Sequence, residues 1–155
     1  MVRDDQHRPT PSSPGKTIFI IMGVSGCGKS LIGEMLARRL AVPFFDGDDY
    51  HSPANIRKMQ CGTPLTDDDR LEWLKTLNTL AASQGETGSV IACSALKESY
   101  RKILAFGIEE RVQFIFLEGT FELISSRLAG RSNHFMPPNL LKSQFDDLQP
   151  PADGI

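Results

Sequence analysis

The sequence predicts an α/β fold in which a parallel sheet lies between layers of helices, and three observations lead there. Short apolar runs alternate with helical stretches along most of the chain. The first run, Thr17-Ile18-Phe19-Ile20-Ile21-Met22, is continuous and β-branched, as expected of a central strand covered on both faces. A glycine-rich turn and then a helix follow it directly, the order of a unit that crosses over to a parallel neighbour.

Taken in order, the elements are these. After the first strand, Lys29 to Leu40 reads as a helix with Leu31, Ile32, Met35, Leu36 and Leu40 on one face. Pro43-Phe44-Phe45 is a short second strand ending in the acidic run Asp46-Gly47-Asp48-Asp49. Ser52 to Gln60 reads as a short helix that stops at Cys61-Gly62. Thr66 is placed to cap the next helix, with Asp69 three residues on and Leu71, Leu74, Leu77 and Leu80 along one side. Ser89 to Cys93 is a third strand, and Lys97 to Phe106 a helix. Val112 to Leu117 is a fourth strand, and Phe121 to Leu128 another helix. Gly130 to Pro138 is a basic loop bounded by proline, and Leu140 to Leu148 a last helical piece.

The chain has 155 residues, 40% hydrophobic and 23% charged, which suits one soluble domain with a buried core. Residues 1–16 are rich in Pro, Ser and charge and read as a disordered leader, leaving 17–155 as the folded domain. That leader has no apolar stretch of the signal-peptide kind, and Asp4 and Asp5 weigh against a mitochondrial address. A net charge of -2 argues against a nucleic-acid binder, and no apolar run reaches membrane-spanning length. Cys27, Cys61 and Cys93 are odd in number and lack metal-site spacing, so a reducing, cytoplasmic setting is expected. Cys27 lies within the glycine-rich turn, where it reads as a small residue that fits.

That turn carries the chemistry. Gly23-Val24-Ser25-Gly26-Cys27-Gly28-Lys29-Ser30 matches the phosphate-binding pattern G-x-x-x-x-G-K-[ST] in full. Its glycines let backbone N–H groups converge on phosphate oxygens at a helix start. Lys29 is expected to reach the β- and γ-phosphates of ATP and Ser30 to ligate Mg2+. ATPases, GTPases and kinases all use this loop, so it does not name a reaction. There is no N-K-x-D segment for guanine, and the third strand ends in Ala92-Cys93-Ser94 rather than an acid. The acids instead follow the second strand. Ligands of parallel sheets gather at the strands' carboxyl ends, so Asp46 and Asp48 are expected to face the loop. In an extended Asp-x-Asp segment both carboxylates share a side, one placed for the metal and one for the acceptor hydroxyl. Asp67, Asp68 and Asp69 are read as charges that favour the start of a helix, and Trp73 as core.

Later segments sharpen this. Met22-Gly23-Val24-Ser25-Gly26, Phe45-Asp46-Gly47-Asp48, Asn55-Ile56-Arg57-Lys58-Met59 and Gly62-Thr63-Pro64-Leu65-Thr66-Asp67-Asp68-Asp69-Arg70 occur in that order. Trp73-Leu74, Cys93-Ser94-Ala95-Leu96-Lys97, Tyr100-Arg101 and His134-Phe135 follow. Together they resemble the P-loop gluconokinases over about residues 17 to 150. The resemblance implies a three-layer P-loop kinase fold like that of shikimate and nucleoside monophosphate kinases, with a short lid over about 130–138, and often a homodimer. It implies transfer of the ATP γ-phosphate to the C6 hydroxyl of D-gluconate, with Asp48 as the group that orients or deprotonates the hydroxyl. Arg57, Arg70 and Arg101, with His51 beside them, become candidates for the gluconate carboxylate and hydroxyls, which call for a guanidinium fork. Arg127 and Arg131, one helical turn apart, become candidates for adenine and phosphates, with His134 on the same lid. Relatives continue beyond the Pro-Ala-Asp stretch with a further strand and helix, whereas this chain stops at Ile155, so a shortened sheet is expected. A kinase for another hydroxy acid such as shikimate, or a nucleotide-binding protein without turnover, stays open at this level.

Overall fold

The computed structural model describes residues 17–130 and 138–152. The leader at 1–16, Arg131, His134 and nearly all of the expected lid lie outside the described residues.

Four strands, β1 (Ile18–Met22), β2 (Phe44–Asp46), β3 (Ser89–Ala92) and β4 (Val112–Phe116), form one parallel sheet in the order β2-β3-β1-β4. The helices between them are α1 (Lys29–Leu40), α2 (Pro53–Gln60), α3 (Asp67–Ser83), α4 (Glu98–Ala105), α5 (Phe121–Ala129) and α6 (Pro138–Asp147). The expected elements all form, with ends shifted by a residue or two.

Period-two alternation divides β1 between two cores. Ile18, Ile20 and Met22 pack with Trp73, Leu74 and Leu77 of α3 and with Tyr100 and Leu104 of α4. Ile21 faces the other way, toward Val90 and Ala37 of α1. Ile18, Ile20 and Ile21 have no exposed surface, and each such side chain contributes roughly 1.5–3 kcal/mol by burial. β4, paired only with β1 among the described residues, is half-buried throughout.

Two apolar stripes differ from expectation. On α1 the buried residues are Gly33 and Ala37, while Leu31, Ile32 and Met35 are exposed. A Cβ at Gly33 would stand 2.5 Å from the Phe44 ring, so α1 docks by its small residues because only they let its axis approach the sheet. The larger side chains are thereby turned outward. On α3 the buried set is Trp73, Leu74, Leu77 and Ala81, and Leu71 is exposed. The bulk of Trp73 sets the rotation of that helix.

Helix starts follow local chemistry. Thr66 and Asp69 form the reciprocal capping box, with Asp69 N–H donating to Thr66 Oγ1 at 3.2 Å and Thr66 N–H to Asp69 Oδ2 at 2.9 Å. Ser52 and Thr120 cap α2 and α5 in the simpler way. At α1 Gly28 stands at the cap position with no side-chain hydrogen bond and no acid in the first turn. Its leading N–H groups are left for an external acceptor.

Candidate active site

The phosphate loop leaves β1 and lies beside the end of β3, where Gly23 N–H donates to the Ser94 carbonyl at 3.2 Å. Lys29 folds back over it. Its ammonium donates to the carbonyls of Gly23 at 3.0 Å and Val24 at 2.9 Å. Its third contact is the Cys27 sulfur at 4.0 Å, a weak acceptor that a phosphate oxygen can replace. Gly26, Gly28, Lys29 and Ser30 lead into the uncapped start of α1, where a phosphate fits both the donors and the helix dipole. Val24 and Cys27 are buried with Leu96, Ile124 and Leu141, so Cys27 does fill a small space in the loop.

Across the gap, Ser30 Oγ donates to Asp46 Oδ2 at 3.1 Å. This bond joins the loop to the end of β2. Asp46 also accepts the Asp48 backbone N–H at 3.0 Å, capping a 3-10 turn over Gly47–Tyr50. The extended Asp-x-Asp arrangement is therefore corrected: Asp46 ends the strand and Asp48 sits on the turn, because a strand cannot continue where Gly47 enters the sheet's end. A Cβ at Gly47 would lie 2.5 Å from the Ala92 carbonyl oxygen, so only glycine brings the turn this close to β3. Trp73 Nε1 donates to the Gly47 carbonyl at 2.7 Å and pins the turn from the α3 side. Beneath it, burial pushes the Cys93 thiol up to about 12, with the charges of Asp48 and Asp46 adding to the effect and Lys29 opposing it. The ammonium and both carboxylates are thus all close enough to Cys93 for their charges to act on it.

Ser30 and Asp46 are hard oxygen donors, the kind Mg2+ takes while keeping several waters. Among the described residues no three His, Cys, Asp or Glu side chains form a metal cluster. A hydrated Mg2+ shared with phosphates does not need one.

The residues expected on the acceptor side form a network. Arg70 donates to Tyr100 Oη at 2.9 Å, lies over its ring, and has Asp147 of α6 at 3.7 Å. Tyr100 Oη donates in turn to Asp67, which also pairs with Lys97 at 3.0 Å. The Tyr100 hydrogen bond and then Lys97 hold the Asp67 carboxyl below its ordinary value. Asp67 thus does more than favour a helix start. His51 stacks on Trp73 at 4.0 Å between centroids. Burial, then the Arg70 charge, lower its pKa to about 4, so it is neutral at pH 7.

The other candidates separate. Arg101 is buried, and its guanidinium donates to the carbonyls of Ala95 at 2.7 Å, Leu96 at 3.2 Å and Gln149 at 2.8 Å. These bonds tie α4 to the loop before it and to the segment after α6, the reverse of an open substrate fork. Arg57 is exposed on α2, and its side chain makes no hydrogen bond or ion pair among the described residues. Arg127 is exposed on the last turn of α5, whose Ile124 and Leu128 press on Gly26. Its expected companion Arg131 is outside the described residues. Sequence reasoning gave no side-chain role to Tyr100, Asn55, Lys97, Gln144 or Asp147. Apart from Ser52 and His51 near Asn55 and the contact between Lys97 and the Tyr100 ring, their partners are 14 to 119 residues away, so local pattern marks them poorly.

Comparisons with known proteins agree with this geometry. The family model described as shikimate kinase matches residues 25–146. The chain is 50% identical over 136 residues to the thermosensitive gluconokinase of Escherichia coli strain K12, covering 86% of this chain and 72% of that protein. It is 42% identical to the probable gluconokinase of Mus musculus, covering 90% and 85%. A crystal structure of a gluconokinase from Sinorhizobium meliloti 1021 superposes with a TM-score of 0.83 at 42% identity, covering 90% of this chain and 78% of that one. No helix among the described residues is long and apolar enough to cross a membrane.

Proposed function

The chain belongs to the gluconokinases, within the shikimate-kinase family, and from that premise we propose that it transfers the γ-phosphoryl group of ATP to the C6 hydroxyl of D-gluconate, giving 6-phospho-D-gluconate and ADP. The observation that carries this reading is the Ser30–Asp46 hydrogen bond. It joins the nucleotide loop to the turn that bears Asp48.

In this reading the loop N–H groups and Lys29 hold the β- and γ-phosphates and offset the charge that builds on the transferred group. Ser30 and Asp46 would hold Mg2+, which would supply positive charge that offsets the repulsion of the phosphates. Asp48 orients the acceptor hydroxyl and takes its proton as the new P–O bond forms and the bond to the ADP oxygen breaks. Because such transfers pass through a loose transition state, placement of the hydroxyl counts for more than proton removal. Arg70, braced by Tyr100, is the guanidinium best supported for the gluconate carboxylate, and Lys97 adds a second positive charge nearby. Neutral His51 suits a hydrogen bond to a sugar hydroxyl rather than charge pairing. Arg127 remains a candidate for the adenine side, and Arg57 for the acceptor entrance. Homodimer assembly and a cytoplasmic location belong to the same reading, and sedimentation and cell fractionation check them.

The test is release of ADP from Mg-ATP in a coupled assay with gluconate, shikimate or nucleoside monophosphates. Turnover with gluconate alone is expected. Folded protein that binds ATP and leaves gluconate untouched would refute the proposal.

A further inference from the structure

Gln144 of α6 makes a two-point contact with the phosphate loop. Its Oε1 accepts the Ser25 backbone N–H at 2.7 Å, and its Nε2 donates to Ser25 Oγ at 3.2 Å. A backbone N–H can only donate, so the amide has one orientation that satisfies both contacts.

The Ser25 N–H and the Val24 carbonyl belong to one peptide unit. That unit is planar and trans, so its N–H and C=O point in opposite directions. On the carbonyl side sits Lys29, whose ammonium donates to Val24 O at 2.9 Å, beside a longer bond from the Cys27 N–H at 3.4 Å. Gln144 therefore grips one end of a rigid plate whose other end holds the lysine. If the N–H were released, the plate could rotate about its flanking bonds, both beside or within a glycine-rich stretch, and Lys29 would lose one of two carbonyl anchors.

We propose that Gln144 is a positioning residue for phosphoryl transfer, which aims Lys29 at the phosphates by fixing the Val24–Ser25 peptide. The α6 helix is built to hold it there. Leu141, Phe145 and Leu148 pack into the same apolar cluster as Val24, Cys27 and Ile124. Packing sets the distance between helix and loop, and the amide sets the direction of the peptide.

The inference rests on the kinase reading, and ATP affinity separates the two. The variant is Gln144→Met, which keeps length and apolar packing but removes both hydrogen bonds. Expected are a loss of about tenfold or more in kcat and a KM for gluconate within about twofold of wild type, since a group acting through Lys29 touches transfer rather than acceptor binding. Calorimetric ATP affinity is then measured for wild type, Gln144→Met, Lys29→Met and the double variant. Once Lys29 is gone, removing Gln144 should cost little further affinity, whereas a purely structural residue would add its full loss. Additive losses overturn the proposal.

Gln144→Glu keeps an acceptor for the Ser25 N–H. At about 0.5 M salt, which screens its extra charge, it should recover most of the wild-type kcat. Recovery no better than that of Gln144→Met overturns the inference. If Gln144→Met does not fold, Gln144→Glu decides alone: near wild-type kcat in salt supports the role, and a tenfold loss sinks it. If wild type binds ATP without acting on gluconate, the functional reading fails while the affinity cycle still tests Gln144.

Discussion

Arg101 offers a direct contest between a substrate role and a structural one. Its guanidinium is buried and meets three backbone carbonyls, at Ala95, Leu96 and Gln149. In Arg101→Met the aliphatic stem remains, so packing changes little, but three carbonyls lose a charged donor. A hydrogen bond to a charged group contributes about 1.5–3 kcal/mol net, and breaking a buried charged contact from one side costs about 3–5 kcal/mol. Because the three bonds share one guanidinium and are not additive, we expect a loss of about 3–5 kcal/mol in all. For a chain of this size each kcal/mol moves Tm by about 2–4 °C, so a fall of roughly 6–20 °C is expected. The assay pairs a thermal melt with steady-state kinetics well below the variant's Tm. There the KM for gluconate should stay within about twofold of wild type, since no acceptor contact has gone. A variant that melts with wild type yet needs far more gluconate to saturate would refute this reasoning and return Arg101 to the substrate site.

Asp48→Asn should lower kcat by about a hundredfold and leave ATP affinity within about twofold, and normal turnover would remove Asp48 from the mechanism. Gly47→Ala places a methyl group 2.5 Å from the Ala92 oxygen and should displace the turn bearing Asp48. Loss of kcat that exceeds the loss of melting temperature is expected, and unchanged kcat would count against the turn's part in catalysis. His51 contributes to the pH dependence of stability. Its folded pKa of about 4 lies below the ordinary 6.5, so between these values the unfolded chain binds the extra proton. Stability from neutral His51 is therefore fully present above about 6.5 and is lost as pH falls toward about 4. His51→Gln should flatten that part of a melting-temperature profile, and an unchanged slope would show that the imidazole does not carry it.

Much of this molecule is legible in one dimension. The strand–loop–helix order, the phosphate loop and the Thr66–Asp69 cap rest on partners within a few residues or on backbone periodicity, and such signals survive without knowledge of packing. The acids after β2 were also legible as a pair opposite the loop, since strand ends of a parallel sheet share one edge. Their division of labour was not, because the turn at Gly47 depends on the approach of β3 and on Trp73 from α3.

What the sequence alone determined is the phosphate cradle and the order of elements around it. Tertiary structure decided which face of α1 is buried, since the close fit of Gly33 on Phe44 outweighs a stripe of larger apolar residues. It also sorted three equivalent-looking arginines: Arg57 to the surface, Arg70 to the Tyr100–Asp67 network and Arg101 to buried carbonyls. The physical reason is the same in each case. A guanidinium or an amide is defined by the partner it meets, and here those partners, from Tyr100 for Arg70 to Ser25 for Gln144, are brought together only by packing.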